Sequence, residues 1–209
     1  MKYDPAKHNR RSIRLKGYDY SGEGAYHVVI RTKNGVCMFG EVEANETKLS
    51  PIGGIAERCW LEIPEHFPYV ELDQYVVMPN HLHGIVIIVG RKEADISRKD
   101  VQLNVLTSTT LPKNAVTGRS LKPTSQISPH KGTLSVIVRT YKAAVTTMCR
   151  KQGFQTFGWH GRFYDHIVRD GADLDRIRQY ILDNPINWTN DDNFPSNIRM
   201  NHTHEGTTD

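Results

Sequence analysis

The chain has 209 residues, a formal net charge of +4 and a pI near 8.9. That length suits one domain with a proper core, and the mild positive charge suits a polyanionic partner without establishing one. No apolar stretch approaches the ~20 residues that cross a bilayer, which excludes a membrane helix. Cys37, Cys59 and Cys149 have no pairing or metal spacing, which excludes a disulfide scaffold; with no secretory leader in view, reduced thiols in the cytoplasm are expected.

In chain order, residues 1–20 form a basic arm in which Arg10, Arg11 and Arg14 stand among further lysines; a solvated charge run and a DNA contact are equally good readings of it. A first strand is expected at about 25–32 and a second at about 36–43, joined as a hairpin through Lys33-Asn34-Gly35. Ser50-Pro51 opens a helix, serine capping and proline at the first helical position, with Ile52, Ala56, Cys59 and Ile63 on its buried face. Strands follow at about 69–78 and 82–89. Residues 91–131 are rich in Ser, Thr, Lys and Pro and read as a long flexible insertion. A helix over 133–151 carries Leu134, Ile137, Tyr141, Val145 and Met148 on one face, with Arg139 and Lys142 among its basic residues. A short strand at about 163–168 leads to a last helix over 172–184, and 189–209 reads as a polar tail. Strands and helices linked this way predict an α+β domain with an antiparallel sheet of about five strands.

Two places carry chemistry. His81-Leu82-His83 enters the apolar run Gly84–Val89, and side chains two apart on a strand share a face, so both imidazoles can close on one divalent cation. In the last helix Asp170 caps, Leu174, Ile177 and Ile181 line the buried face, and Pro185 stops the helix. Tyr180 and Asn184 are one turn apart there, so a phenol and an amide emerge together. Tyr164 and His166 alternate to one face of their strand with Asp165 on the other, so Tyr164-Asp165-His166 is not a single site.

With these residues in place, the chain resembles the single-tyrosine HUH transposases of bacterial insertion sequences, and more closely the REP-associated tyrosine transposases. The resemblance covers nearly all of 20–188. Its motifs are Gly24-Ala-Tyr-His-Val-Val-Ile-Arg-Thr-Lys33, Val77-Val-Met-Pro-Asn-His-Leu-His-Gly84, Trp159-His-Gly-Arg-Phe-Tyr-Asp-His-Ile-Val-Arg169 and Arg176-Ile-Arg-Gln-Tyr-Ile-Leu-Asp-Asn-Pro185. It implies a ferredoxin-like core over 21–188, His81, His83 and Asn184 as metal ligands, and Tyr180 as nucleophile. The insertion-sequence branch usually has glutamine where Asn184 stands, so asparagine favours the REP-associated branch.

Two imidazoles and an amide oxygen make an uncharged site with open positions, suited to Mg²⁺ or Mn²⁺ working on a phosphate. The activity so implied is a single-stranded DNA endonuclease and strand transferase (a transposase) with a 5′-phosphotyrosine intermediate on hairpin or palindromic repeat DNA. Trp159, Arg162 and His166 are candidates for further DNA contacts, beside the arm and Arg139 and Lys142; packing is the competing reading for Trp159. A monomer or homodimer associated with the nucleoid is expected. Three rivals stay open: a non-cleaving DNA-binding regulator derived from a transposase, a hydrolase in which water attacks, and a small-molecule metalloenzyme.

Overall fold

The computed structural model describes residues 20, 22–89 and 133–197. The basic arm with Arg10, Arg11 and Arg14, the insertion at 91–131 and most of the tail lie outside the described residues.

Among the described residues six strands and four α-helices follow in order: β1 (Gly24–Arg31), β2 (Gly40–Glu43), β3 (Glu46–Leu49), α1 (Pro51–Leu61), α2 (Ile63–His66), β4 (Val70–Met78), β5 (His81–Ile88), α3 (Leu134–Lys151), β6 (Tyr164–Ile167) and α4 (Gly171–Asp183). The main sheet has four strands in the order β4-β5-β1-β6, and every neighbouring pair is antiparallel. The chain runs β1, helix, β4, then hairpins into β5, which pairs between them. This is the split β-α-β of a ferredoxin-like sheet, so the α+β expectation holds.

Alternation gives the sheet two different faces. Tyr26, Val28 and Ile30 of β1 and Leu82, Val86 and Ile88 of β5 point into the larger core, where α1 and α3 pack. The opposite face carries His27, Val29 and Arg31 of β1 and His81, His83 and Ile85 of β5. α4 packs on it, burying Ile177 and Ile181 against Ile85, and the segment after α4 adds Trp188 beside His81. The first face makes the fold and the second carries the sheet's polar side chains.

The ends of the helices match their local chemistry. The Ser50 hydroxyl accepts from the Gly53 amide at 3.1 Å, and the Asp170 carboxylate accepts from the Asp173 amide at 2.8 Å. On β4 the register shifts between Leu72 and Tyr75, a bulge that turns Asp73 toward α4. There Asp73 takes a two-pronged hydrogen bond from Arg178, 2.9 Å at Nε and 2.5 Å at Nη2.

One expectation fails. The segment after β1 does not return as its hairpin partner. Lys33–Gly35 forms a single 3-10 turn with Asn34 and Gly35 at φ 58 and 66. The amides of Thr32 and Lys33 donate instead to the carbonyls of Asn80 and Gly158, at 2.9 and 2.8 Å. β2 pairs with β3, a strand the sequence reading missed, across Ala44-Asn45, whose φ values of 52 and 66 suit a tight two-residue hairpin turn. β1 is thereby left to pair with β5 and β6. Among the described residues no helix is long and apolar enough to cross a membrane.

Gly84 lies against the Trp60 indole, and a Cβ there would overlap the ring. Gly84→Ala should therefore cost roughly 1–3 kcal/mol through overpacking. Gly54→Ala on α1, where the new methyl meets nothing within 4 Å, should stabilise by about 0.4–1 kcal/mol. Urea unfolding of the two variants beside the parent checks both signs.

Candidate metal centre and tyrosine

His81 and His83 stand on one face of β5 with ring centroids 4.6 Å apart. His81 is fully buried and His83 almost so. Each uses its Nδ1 within the protein. His81 Nδ1 meets Asn80 Oδ1 at 2.8 Å, and His83 Nδ1 meets His27 Nε2 at 3.0 Å. Both Nε2 atoms are buried with no hydrogen-bond partner, and so is Asn184 Oδ1. An orphaned buried acceptor is costly unless something else binds it. All three expected ligand atoms are in that condition.

The protons can be placed. The Asn80 amide nitrogen donates to the carbonyls of Gly35 at 2.9 Å and Asn193 at 2.7 Å, so its NH₂ side is fixed and its oxygen must face His81. His81 therefore carries its proton on Nδ1 and keeps a lone pair on Nε2. Burial, reinforced by the Arg31 charge, pushes the His81 pKa down to about 3. Burial also holds His83 well below the usual range, and burial followed by the His166 charge takes His27 down to about 4. Both rings are neutral, so one proton lies between them. With that proton on His83 Nδ1, His83 Nε2 also presents a lone pair.

The sequence reading missed a carboxylate. Asp191 Oδ2 lies 3.9 Å from His81 Nε2, and ligand atoms of His81, His83 and Asp191 all fall within 4.8 Å of one another. Atoms each roughly 2.1 Å from a magnesium-sized ion stand about 3–4 Å apart; the 3.9 Å pair meets that spacing, and the 4.8 Å bound on the group is close to it. The expectation of an uncharged site is corrected: Asp191 supplies a negative charge that favours a hard divalent cation. It sits in what reads as polar tail, where no periodicity marks it. Trp188, 5.9 Å from the His81 ring, and Asn193 pack this segment onto the site.

Tyr180 completes the group. Its ring meets His83 edge-on at 5.3 Å and His27 at 6.2 Å, and about half of the residue is exposed. Its hydroxyl pKa is raised by burial first and by the Asp191 charge second, while a hydrogen bond from Asn184 acts in the opposite direction. The ring borders an open cleft of about 860 Å³ that His83, Asn184, Asp191, Arg31 and Arg162 also line.

The remaining candidates divide. Arg162 and His166 line the cleft, but His166 Nε2 is held by Asp173 at 2.8 Å. Lys142 donates to the carbonyls of His160 and Arg162 at 2.9 and 3.0 Å, and burial lowers its pKa to about 8. It acts as a clasp. Trp159 packs among Phe39, Phe157 and Tyr141 at 5.1–5.7 Å and donates its indole N–H to Lys142, a core role. Arg139 is exposed on α3, away from the cleft lining. Tyr164, half exposed, borders the cleft from β6.

Against known proteins, the chain is 39% identical over 190 residues to an uncharacterized protein of Haemophilus influenzae, covering 91% of this chain and 96% of that one. The chain belongs to that protein's family. No family model matches it. Among solved structures it is similar to a REP-associated tyrosine transposase bound to a REP hairpin, at 16% identity and TM-score 0.49, over 85% of this chain and 74% of that one. It is also similar to a candidate transposase from Deinococcus radiodurans R1, at 12% identity and TM-score 0.41, over 81% of this chain and 95% of that one.

Two outcomes follow. Asn80→Ala, which removes no ligand atom, should weaken Mn²⁺ binding about 10–100-fold in calorimetric titration, because the His81 ring loses its orienting partner. In the metal-free protein the buried histidines titrate below their unfolded value of 6.5. The unfolded chain therefore takes up protons first, and stability is lost as pH falls from 6.5. His27 alone should account for on the order of 3 kcal/mol by pH 4, measurable by urea unfolding across that range.

Proposed function

We propose that this chain is a metal-dependent endonuclease and strand transferase acting on single-stranded DNA, with Tyr180 as nucleophile. The observation that carries the reading is the set of orphaned buried atoms, His81 Nε2, His83 Nε2 and Asn184 Oδ1, beside a half-exposed tyrosine. A structural histidine pair would have its nitrogens satisfied. A tyrosine that served only packing would not stand half exposed against His83 at the lining of an open cleft.

His81, His83, Asp191 and Asn184 would hold Mg²⁺ or Mn²⁺, which when bound neutralises phosphate charge and offsets the Asp191 charge that raises the Tyr180 pKa. The protein's own residues do the rest. α4 fixes the phenol in direction, and the Asn184 hydrogen bond favours its ionised form. Attack by Tyr180 Oη forms a phosphorus–oxygen bond and breaks the bond to the 3′-oxygen. The phenol proton leaves through the wet side of the cleft, and the departing 3′-oxygen takes one up. The 5′-phosphotyrosine conserves the ester bond, so a second 3′-hydroxyl can reverse the step without ATP.

The cleft favours a single strand. About 860 Å³, lined by Arg31, Arg162, Arg176 and His160, admits a bent backbone and a few bases, which a duplex could present only by opening. Hairpin or repeat-derived ends supply such strands. This substrate also suits the net charge.

In a denaturing-gel assay with a hairpin-bearing oligonucleotide and Mn²⁺, Tyr180→Phe should fold, bind and form no covalent adduct. His81→Ala and His83→Ala should lose cleavage at all practical metal concentrations, and Asn184→Ala should recover in part at high Mn²⁺. Cleavage by Tyr180→Phe without an adduct would make water the nucleophile. An adduct that moved to Tyr164 would remove Tyr180 from the role.

A further inference from the structure

We propose that Arg31 is a catalytic residue of this site, its guanidinium binding a non-bridging oxygen of the phosphate that Tyr180 attacks; this rests on the transferase reading above. Arg31 ends β1 on the face that carries the metal ligands, and its backbone partner across the sheet is His81. It lines the same cleft as His83, Tyr180, Asn184 and Asp191. Its Nε is buried and has no hydrogen-bond partner.

Three other cations nearby are already engaged. Arg176 is paired with Asp173, Arg178 with Asp73 and Asp175, and Lys142 with two carbonyls. Arg162 is exposed at the lip. Arg31 differs from each of them: among the described residues neither a carboxylate nor a carbonyl takes its guanidinium, and unlike Arg162 it is partly buried, at the end of a strand beside neutral histidines. Its missing partner is an anion that arrives with substrate.

Position makes the match specific. The Arg31 carbonyl accepts from the His160 amide at 2.9 Å, and the next residue, Thr32, donates its amide to Asn80, the residue that orients His81. The arginine and the metal ligand are thus pinned to the same short stretch of backbone. A planar fork of donors held rigidly suits a phosphate better than a mobile lysine does. The cation and the guanidinium would then address different oxygens of one phosphate, leaving the line to Tyr180 open.

The experiment uses the full chain loaded with Mn²⁺, as Arg31→Ala, Arg31→Gln and Arg31→Lys beside wild type. Inorganic phosphate binding is read from the Mn²⁺-induced relaxation of its ³¹P signal, and cleavage from single-turnover adduct formation. Arg31→Ala should weaken phosphate binding at least tenfold while Mn²⁺ affinity stays within twofold. Its cleavage should slow roughly 10²–10³-fold, should not respond to excess Mn²⁺, and should recover in part with added guanidinium ion. Arg31→Lys should fall between. If Arg31→Ala fails to fold, Arg31→Gln carries the same expectations. Phosphate affinity unchanged from wild type, or cleavage within threefold of an active wild type, overturns the proposal. A wild type that forms no adduct while phosphate binding still depends on Arg31 overturns the transferase reading and leaves the anion site standing.

Discussion

The register of β5 is the constraint on which the rest depends. A slip of one residue would turn His81 and His83 into the α1 and α3 layer and bring Leu82 to the cleft. Trp60 forbids it. Its buried indole fills the space over Gly84, where no side chain can stand, and it is itself held edge-on by Tyr141 at 5.5 Å. The apolar face therefore sets the position of the polar one. Hydrophobic packing does the aligning, and the histidines inherit their geometry from the core on the opposite face of the sheet.

The cost of that geometry is visible. Buried acceptors without partners each cost about 1–3 kcal/mol, and this site holds three of them together. The surroundings make the arrangement rigid enough to persist. Asn80 is the hub: its carbonyl accepts from the Thr32 amide and hydroxyl, while its side chain joins Gly35, Asn193 and His81. One asparagine thus ties the end of β1, the start of β5 and the segment carrying Asp191. The protonation states, like the positions, are those a cation site would require.

Much of this was legible in the sequence, for physical reasons that differ by element. Ser50-Pro51 and Asp170 announce helix starts because capping is local chemistry. His81 and His83 announce a shared face because strand alternation needs no tertiary information. Lys33-Asn34-Gly35 misled because a turn signal states that the chain bends, not which strand receives it. The answer lay with Asn80 and Gly158, whose carbonyls take the two amides a hairpin would need. Asp191 and Asn193 were invisible for a related reason. Their contacts reach residues more than a hundred positions away and leave no periodic trace in a polar segment. His27 and Arg31 sat within a motif that carried the family resemblance, yet nothing in the strand pattern separated them from ordinary polar positions.

The last helix shows how one element serves two conflicting needs. Under the proposed function Asn184 would be a metal ligand, best kept dry where water does not compete, and Tyr180 a nucleophile that a long substrate must reach. Asn184 is 3% exposed and Tyr180 48%, though a single turn separates them. The helix achieves this by lying along the edge of the covered region, with Ile177 and Ile181 buried against Ile85 and the tyrosine turned outward. Asn184 keeps helical angles, φ −59 and ψ −42, as the last residue before Pro185, so its amide stays one turn from the phenol. Arg178 resists rotation of the helix about its own axis by gripping Asp73 across the β4 bulge. A small rotation would wet the amide or bury the hydroxyl. The ion pair makes no contact with Tyr180 or Asn184, yet it holds the boundary between dry and wet at the turn that carries both groups.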